Sequence, residues 1–308
     1  MKTVAVLGAT GYIGKSLIHT FVAEKGYKFF LFARSREKLK KFLRTIDKNP
    51  ALTIEPFQKF SAIRYDVVIN CIGIGSPNGI RESGIRIFQV TEKFDNLILK
   101  YLEKHPNTLY INLSSGAAYG KKIEKPLEIF SQSVLNINHL DSGEYYSIAK
   151  INSEAKHRAL PNYNIVDIRI FSFFSRFIGL SSGYLMADIV HALKQQENLA
   201  IGPDDIVRDY IGAAELWYFM RLIMKKRAIN DVFDIYSAKP VSKFALLKHL
   251  KRKYGLQYSI TKILQKQSPT GIKNLYYSKN RKAASIGYLP KRTSLAVIDN
   301  EIKHCLDL

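Results

Sequence analysis

The sequence has few cysteines and no long apolar run. Cys71 and Cys305 are its only cysteines in 308 residues, and both lie in segments with regular patterns. This argues against a disulfide framework and indicates a reducing compartment. No apolar stretch reaches the ~18 residues needed to cross a bilayer, and the apolar N-terminal run ends in glycine, which fits a buried strand better than a secretory signal. We therefore expect a cytoplasmic protein with no membrane span.

Acidic residues are also scarce. The chain has 26 aspartates and glutamates against 47 lysines and arginines, a formal net charge of +21, and no acidic residue between Asp234 and Asp299. A basic field of this size attracts anions such as nucleotides, nucleic acids or acidic lipid headgroups. No dedicated nucleic-acid-binding motif accompanies it. We therefore interpret it as a solvated basic face and predict no nucleic-acid partner.

Segments of strand and helix type alternate along the first half of the chain, which predicts a parallel sheet covered by helices. The predicted strands are 3–7, 28–33, 52–56, 66–72, 108–113 and 164–171, and the predicted helices are 12–24, 36–46, 85–103 and 144–157. Beyond residue 172 the alternation weakens. There we predict helices at 184–195 and 213–224, and a strand at 232–236 that returns to the main sheet.

A glycine-rich turn follows the first predicted strand. Gly8, Gly11 and Gly14 have the spacing Gly-x-x-Gly-x-x-Gly, and a helical pattern begins directly after Gly11. Gly8 permits a sharp turn, Gly11 permits close approach of a pyrophosphate, and Gly14 permits close packing of the helix on the sheet. The helix N-terminus would face the phosphates with its N–H groups. The turn therefore predicts a dinucleotide site.

A tyrosine and a lysine share one face of a later predicted helix. Tyr146 and Lys150 are four residues apart, and Ser115 lies between them and the glycine turn in the sequence. An ammonium beside a phenol favours the phenolate, so that the phenol can pass a proton near neutral pH. In this order the features resemble the short-chain dehydrogenase/reductase superfamily. Later landmarks resemble its extended branch, the sugar-nucleotide epimerases, dehydratases and reductases.

The resemblance implies a Rossmann-type doubly wound parallel α/β sheet with a smaller C-terminal substrate lobe. On this basis we predict a dinucleotide-binding domain at 1–171, to which 205–236 partly returns, and a substrate-binding lobe at 172–204 and 237–308. Ser115 would hydrogen-bond the substrate oxygen, Tyr146 would exchange a proton with that oxygen, and Lys150 would hold the nicotinamide ribose. No metal ligand is implied. The implied homodimer would form through the helix before the fifth strand and the helix carrying Tyr146.

The resemblance also places cofactor contacts at the strand ends. The implied residues are Gly8, Thr10, Gly11, Tyr12, Ile13, Gly14, Arg34, Ser35, Arg36, Cys71, Ile72, Gly73, Tyr146, Lys150 and Phe171. An NAD enzyme would carry Asp or Glu after the second strand, where this chain has Ala33-Arg34-Ser35-Arg36. An arginine there can pair with a 2′-phosphate. We predict NADP(H), with NAD possible if these arginines merely open a basic helix.

Three residues beyond the sixth predicted strand are implied to bind a nucleotide-diphosphate sugar. Arg208, in Val207-Arg208-Asp209-Tyr210, matches the arginine that holds the diphosphate in the extended branch. Ser172 stands where that branch has a substrate-binding asparagine, and Arg176 follows shortly after. The segment 282–290 resembles the Leu-Gly-Trp/Tyr-x-Pro landmark of the same branch.

Side chains that some enzymes of the extended branch use for catalysis are missing from this chain, which reduces the number of reactions to consider. The dehydratases of this branch carry Asp-Glu after the catalytic hydroxyl residue, where this chain has Gly116 and Ala117. The reductase-epimerase that makes GDP-fucose has a cysteine where Ala117 stands. We therefore predict an NADP(H)-dependent reductase of a nucleotide-linked 4-keto-6-deoxy sugar in surface polysaccharide synthesis. The alternatives are a nucleotide-sugar 4-epimerase with tightly bound NAD and a non-catalytic cofactor-binding subunit.

Overall fold

A parallel sheet forms the centre of the protein. The computed structural model describes residues 1–46, 51–226, 228–261, 269–271 and 273–306. Within these residues seven parallel strands have the order β11-β6-β5-β4-β1-β2-β3. Their bounds are β1 Lys2–Leu7, β2 Tyr27–Phe32, β3 Leu52–Glu55, β4 Val67–Asn70, β5 Leu109–Ser115, β6 Ile165–Ile170 and β11 Asn230–Asp234. The predicted Rossmann-type α/β fold is confirmed.

Helices cover the sheet and build the remainder of the chain. They are α1 Tyr12–Phe21, α2 Arg36–Leu43, α3 Pro77–Ser83, α4 Arg86–Lys104, α5 Ser142–Arg158, α6 Leu185–Gln195, α7 Ala213–Ile223, α8 Lys243–Tyr254 and α9 Ser294–Cys305. Short strands form three small sheets, β10 with β7, β12-β9-β14 and β13 with β8. Their bounds are β7 Ser172–Phe173, β8 Leu199–Ile201, β9 Val207–Arg208, β10 Tyr210–Ile211, β12 Val241–Ser242, β13 Tyr258–Ile260 and β14 Leu275–Tyr276.

Side chains of the central strands alternate between two cores, as the two-residue period of a strand requires. From β1, Val4 and Val6 pack into the cluster that contains Trp217 of α7, whereas Ala5 and Leu7 pack into the cluster on the other face. Side chains are buried on both faces of the sheet, so the strands are apolar almost throughout. This is typical of parallel sheets covered on both sides. A third cluster holds α6, α8 and α9 together beyond the sheet.

Element ends differ from the predicted bounds in ways that side chains explain. The predicted strand at 66–72 ends at Asn70, because the Asn70 side chain accepts a hydrogen bond from the Ile72 N–H at 3.0 Å and turns the chain. The helix α3 was not predicted, and Gly84, with φ of 46°, separates it from α4. The strand predicted at 232–236 is β11, and it pairs with β6 in parallel. The division into a dinucleotide domain and a substrate lobe stays a prediction.

Candidate active site

The glycine turn connects β1 to α1 at the carboxyl edge of the sheet. Gly8 has φ of 82°, and a Cβ on it would lie 2.9 Å from the backbone of Cys71 at the end of β4. Gly11 is the N-cap of α1, with no side chain capping the helix and no acidic residue in its first turn. The exposed N–H end of the helix suits an anion, and the packing against Cys71 leaves the turn lined by backbone. These residues fit the diphosphate of a dinucleotide.

Gly14 has no room for a side chain. A Cβ there would overlap the Gly8 carbonyl oxygen and lie 3.2 Å from the Ala9 Cα, both of which are backbone atoms. We expect Gly14→Ala to lower the free energy of unfolding by about 1–3 kcal/mol, because the turn must move to make room. Urea denaturation checks this. Gly179→Ala is the matched control, since a Cβ at Gly179 meets nothing within 4 Å; equal losses in the two variants would contradict the expectation.

The end of β2 carries the basic residues proposed to select the cofactor. Arg34 and Arg36 are exposed, and neither makes a hydrogen bond or ion pair with another described residue. The Ser35 hydroxyl accepts a hydrogen bond from the Lys38 N–H at 3.2 Å and caps α2. Ser35 therefore fixes the start of α2, while the two guanidinium groups project from the edge where the ribose of an adenine nucleotide binds in open α/β sheets.

Two successive serines at the end of β5 point to different partners. Ser114 is buried, and its hydroxyl donates to Glu154 at 2.5 Å. Ser115 is partly exposed; its Oγ accepts from the Ala117 N–H at 3.1 Å and lies 3.3 Å from the Tyr276 hydroxyl. The sheet alternation thus places Ser114 among buried groups and Ser115 at the surface of the site.

The helix α5 presents the tyrosine and the lysine. It begins with a capping box formed by Asp141 and Glu144. The buried Lys150 ammonium donates to the Leu113 carbonyl at 2.8 Å and lies 5.6 Å from the centroid of the Tyr146 ring. Ser147, between them, donates to the Ala117 carbonyl at 2.7 Å. These bonds attach the face of α5 that carries Tyr146 and Lys150 to β5 and to the turn that follows it.

Two glycines that follow β4, Gly73 and Gly75, face Tyr146 and Lys150. A Cβ on Gly73 would lie 3.8 Å from the Lys150 Nζ, and a Cβ on Gly75 would lie 3.3 Å from the Tyr146 hydroxyl oxygen. Cys71 and Ile72 precede this strip, and burial raises the pKa of the Cys71 thiol to about 12. The glycine backbone after β4 thus lies close to Tyr146 and Lys150, with no side chain of its own between them.

Two tyrosines at the site were missed by the sequence analysis. Tyr276 lies on β14, and its pKa is raised by burial, with a further rise from nearby Tyr146. Tyr184 donates to the Gly75 carbonyl at 2.7 Å, and its pKa is raised by burial and by the same neighbour. Neither belongs to a spacing motif, so no local pattern could have identified them. Both phenols stay neutral; Tyr184 uses its proton on the Gly75 carbonyl, whereas the Tyr276 hydroxyl lies within hydrogen-bond distance of Ser115.

Other predicted contact residues have partners within the protein. Arg176 binds Glu301 through two side-chain hydrogen bonds of 3.0 and 3.1 Å, which joins the segment after β7 to α9. The Tyr12 hydroxyl accepts from the Ser175 N–H at 2.9 Å and so joins α1 to the same segment. The charge of Arg176 is therefore already neutralised by Glu301.

Arg208 and Phe171 both lie against Tyr276. Phe171 is buried against Tyr276, with ring centroids 5.2 Å apart, and its ring fills the space beside Gly116. The Arg208 guanidinium carbon lies 5.6 Å from the Tyr276 ring centroid. Its Nη1 donates to two carbonyls, at 2.9 and 2.7 Å. Ser172 pairs with Tyr210 in the β7–β10 ladder. The structure thus brings Ser115, Phe171 and Arg208 around one buried tyrosine.

A buried network of ion pairs and hydrogen bonds lies next to Ser114. Glu154 of α5 binds Arg169 of β6 through hydrogen bonds of 2.5 to 3.1 Å, and Arg169 in turn lies 3.7 Å from Asp234 of β11. The Tyr119 hydroxyl also donates to Asp234, at 2.9 Å. Burial raises the pKa of Asp234, although these donors oppose the rise. The network connects three strands to α5 beneath Ser114.

The described residues contain no cluster of three or more His, Cys, Asp or Glu side chains placed to hold a metal ion. In the same part of the chain, no helix is both long and apolar enough to cross a bilayer.

Comparison with known proteins agrees with this geometry. The model of the NAD dependent epimerase/dehydratase family matches residues 4–237. No curated protein sequence matches the chain. Similar solved structures are a UDP-glucose-4-epimerase from Stenotrophomonas maltophila with bound NAD and formylated UDP-arabinopyranose (TM-score 0.82, 15% identity, 100% of this chain and 98% of that chain) and a UDP-glucuronic acid 4-epimerase from Bacillus cereus with UDP-glucuronic acid and NAD (0.81, 16%, 99% and 99%).

A dTDP-glucose 4,6-dehydratase from Bacillus anthracis in complex with NAD is also similar, with a TM-score of 0.76 and 14% identity over 99% of this chain and 96% of that chain. Identities this low establish the shared fold. The family match covers the glycine turn, Ser115, Tyr146 and Lys150, and it confirms the resemblance drawn from those residues. The chain therefore belongs to the NAD dependent epimerase/dehydratase family.

Proposed function

We propose that the protein is an NADP(H)-dependent reductase that acts on a keto group of a nucleotide-linked sugar, with a 4-keto-6-deoxy sugar as the expected substrate. The observation that carries the proposal is the convergence of Ser115, Tyr146 and Lys150 at the carboxyl edge of the sheet, opposite the bare backbone of Gly73 and Gly75. Similar solved structures bind NAD and nucleotide sugars.

The side chains divide the chemistry between them. Ser115 donates a hydrogen bond to the carbonyl oxygen of the sugar and fixes its direction. Tyr146 supplies the proton that this oxygen takes up as the carbon is reduced. Lys150, held by the Leu113 carbonyl, places a positive charge 5.6 Å from the centroid of the Tyr146 ring. A bound nicotinamide cofactor supplies the hydride.

Neither of the two residues after Ser115 carries a side chain that could act as acid or base in the elimination of water. Gly116 and Ala117 follow Ser115, both are buried, and the Ala117 N–H is bonded to the Ser115 hydroxyl. Phe171 fills the space beside Gly116. A simple oxidation or reduction at one carbon is therefore the reaction that the site supports best.

The second candidate is a 4-epimerase, and similar solved structures include such enzymes with bound NAD. An epimerase would retain NAD through its cycle, whereas a reductase exchanges its cofactor with solution. The deciding experiment is release of the nucleotide by denaturation, followed by a panel of keto-sugar nucleotides with NADPH absorbance as the readout. Tightly bound NAD and interconversion of 4-epimers without NADPH would favour the epimerase.

The cofactor preference makes a specific prediction for Arg34. We expect Arg34→Glu to raise the Kd for NADPH by roughly 10- to 100-fold and to change the Kd for NADH little, because a carboxylate repels the 2′-phosphate that the guanidinium would bind. Fluorescence titration of each dinucleotide measures both constants. Lys28→Glu is the matched control, since Lys28 lies at the opposite end of β2. A variant that weakens NADPH and NADH equally would contradict NADP selectivity.

The homodimer, the cytoplasmic location and the role in surface polysaccharide synthesis stay predictions.

A further inference from the structure

Residues 129–140, between the turn after Ser115 and α5, form a surface segment with many exposed apolar side chains. Among the described residues ten large apolar side chains are exposed, and five of them lie in this one segment. They are Ile129, Phe130, Val134, Ile137 and Leu140, and Phe130 is 89% exposed. Single exposed apolar residues are ordinary on a protein surface, whereas a cluster of them is typical of a contact site. We call residues 129–140 the apolar segment.

The chain on either side of the apolar segment is fixed to the rest of the protein. Before it, Ile123 and Leu127 are buried in a cluster that contains Tyr276, and the Leu127 N–H donates to the Tyr277 carbonyl at 3.0 Å. After it, the Asp141 side chain caps α5. The apolar side chains are therefore presented to solvent by a segment that is held at both ends.

The apolar segment also lacks charge. It contains no Asp, Glu, Lys or Arg, and its only titratable side chain is that of the exposed His139. Charged side chains are costly inside a bilayer, whereas apolar side chains are favoured below its headgroups. A segment of this composition suits the boundary between lipid headgroups and acyl chains better than it suits water.

Two exposed lysines lie beside the apolar segment. Lys125 precedes it in the chain, and the Lys279 N–H donates to the Leu127 carbonyl at 2.6 Å. Neither lysine forms an ion pair with another described residue. The other charged side chains from 121 to 141 are Lys121 paired with Asp141, Lys122 paired with Glu124, and Glu128. The surroundings of the apolar segment are therefore basic, as is the chain as a whole at +21.

This charge distinguishes between the surfaces that could cover the apolar segment. A second copy of the chain would bring the same lysines to the same contact, and like charges placed together oppose association. A bilayer with acidic lipids has the opposite charge, attracts basic residues near its surface and accepts apolar side chains below its headgroups. The charge therefore favours a lipid surface.

We propose that the apolar segment binds the surface of a membrane that contains acidic phospholipids. Phe130 and its apolar neighbours enter the headgroup region, and Lys125 and Lys279 face lipid phosphates. The contact goes beyond the proposed reductase activity and does not depend on it, because none of these side chains belongs to the group formed by Ser115, Tyr146 and Lys150.

A tryptophan at position 130 reports entry into the bilayer. The only tryptophan of the chain, Trp217, is buried, so that its emission provides a constant background. When vesicles of phosphatidylcholine and phosphatidylglycerol in equal parts are added to the full chain, we expect the emission of Phe130→Trp to shift to shorter wavelength. Ile260→Trp is the matched control, since Ile260 is an exposed apolar residue of β13, and its emission should not shift.

Cosedimentation with the same vesicles measures affinity. We expect Ile129→Ser combined with Ile137→Ser to weaken binding by roughly 10-fold, because two apolar side chains no longer leave water. Ile85→Ser combined with Ile260→Ser makes the same substitutions at exposed positions outside the apolar segment and should bind as the wild type does. Lys125→Glu combined with Lys279→Glu should abolish the preference for these vesicles over phosphatidylcholine alone.

Three results would overturn the proposal. The first is a wild-type chain that does not bind the acidic vesicles. The second is binding that leaves the emission of Phe130→Trp unchanged or that persists in the Ile129→Ser, Ile137→Ser variant, because the contact would then lie elsewhere. The third is self-association without vesicles, measured by sedimentation velocity, that the same double variant abolishes; a second copy of the chain would then cover the apolar segment.

Discussion

Replacement of Tyr146 by phenylalanine should lower kcat by about 10²- to 10⁴-fold, because it removes the group proposed to transfer the proton and leaves the rest of the site in place. The ring keeps its position 5.6 Å from the Lys150 ammonium, and the bonds of Ser147 and Lys150 to the β5 end do not involve the hydroxyl. The Kd of the dinucleotide and the free energy of unfolding should therefore change little. Single-turnover oxidation of NADPH with the best keto sugar of the panel measures the effect on chemistry.

Tyr145 provides the control for this variant. It precedes Tyr146 in α5, but its ring packs on Phe88 of α4, with centroids 5.8 Å apart. Tyr145→Phe should therefore keep wild-type turnover. If Tyr146→Phe retained turnover within a few-fold of the wild type, proton transfer by this phenol would be ruled out, and Tyr184 or Tyr276 would become the group to test.

The features that the sequence predicted are local in the chain. The strand and helix periods, the glycine spacing after β1 and the one-face placement of Tyr146 and Lys150 each depend on residues within a few positions of one another, and the folded chain keeps all of them. Element ends were less accurate, since they depend on single capping contacts. The Asn70 turn after β4 is an example, since it ends a strand that was predicted to continue to residue 72.

The features that were missed depend on tertiary placement. Tyr276 reaches Ser115 only because the two-residue strand β14 pairs with β9, and a pairing that short has no periodic pattern in the sequence. Lys273 is brought beside Arg208 by the same ladder. Arg176 illustrates the opposite case, because an arginine near the predicted site proved to be bound by Glu301, 125 residues further along the chain. Composition gave no indication of which basic residues would be buried.

The position of α5, and hence of Tyr146 and Lys150, depends on a buried histidine near the other end of the helix. His157 is fully buried, and its ring nitrogens lie 2.7 Å from Asp95 of α4 and 2.9 Å from Asp167 of β6. Tyr110 of β5 donates to the same Asp95 at 3.0 Å, and Arg158 lies 3.2 Å from Asp167. The histidine therefore connects α5 to a second helix and to the sheet through two carboxylates.

We expect His157→Gln to lower the free energy of unfolding at pH 6 by about 3 kcal/mol, because Asp95 and Asp167 lose the cation between them, although they keep Lys156 and Arg158 as ion-pair partners. Urea denaturation measures the loss. His191→Gln is the matched control; His191 is half-exposed on α6, 3.8 Å from Glu197, and its replacement should change stability by no more than about 0.5 kcal/mol. Equal stability of the two variants would show that the histidine does not stabilise α5.

The stabilisation that His157 provides should decrease as the pH rises. Burial by itself would lower the pKa of His157, but the hydrogen bonds and charges of Asp167 and Asp95 outweigh it and raise the pKa from 6.5 to about 9. A raised folded-state pKa stabilises the protein fully below the unfolded value, and the contribution disappears as the pH rises through the folded value. The stability difference between wild type and His157→Gln should thus be constant below about pH 6.5 and shrink by about 3 kcal/mol between pH 6.5 and 9. A difference that stays the same at pH 6 and pH 9.5 would mean that His157 is neutral in the folded protein and orients α5 as a hydrogen-bonding group alone.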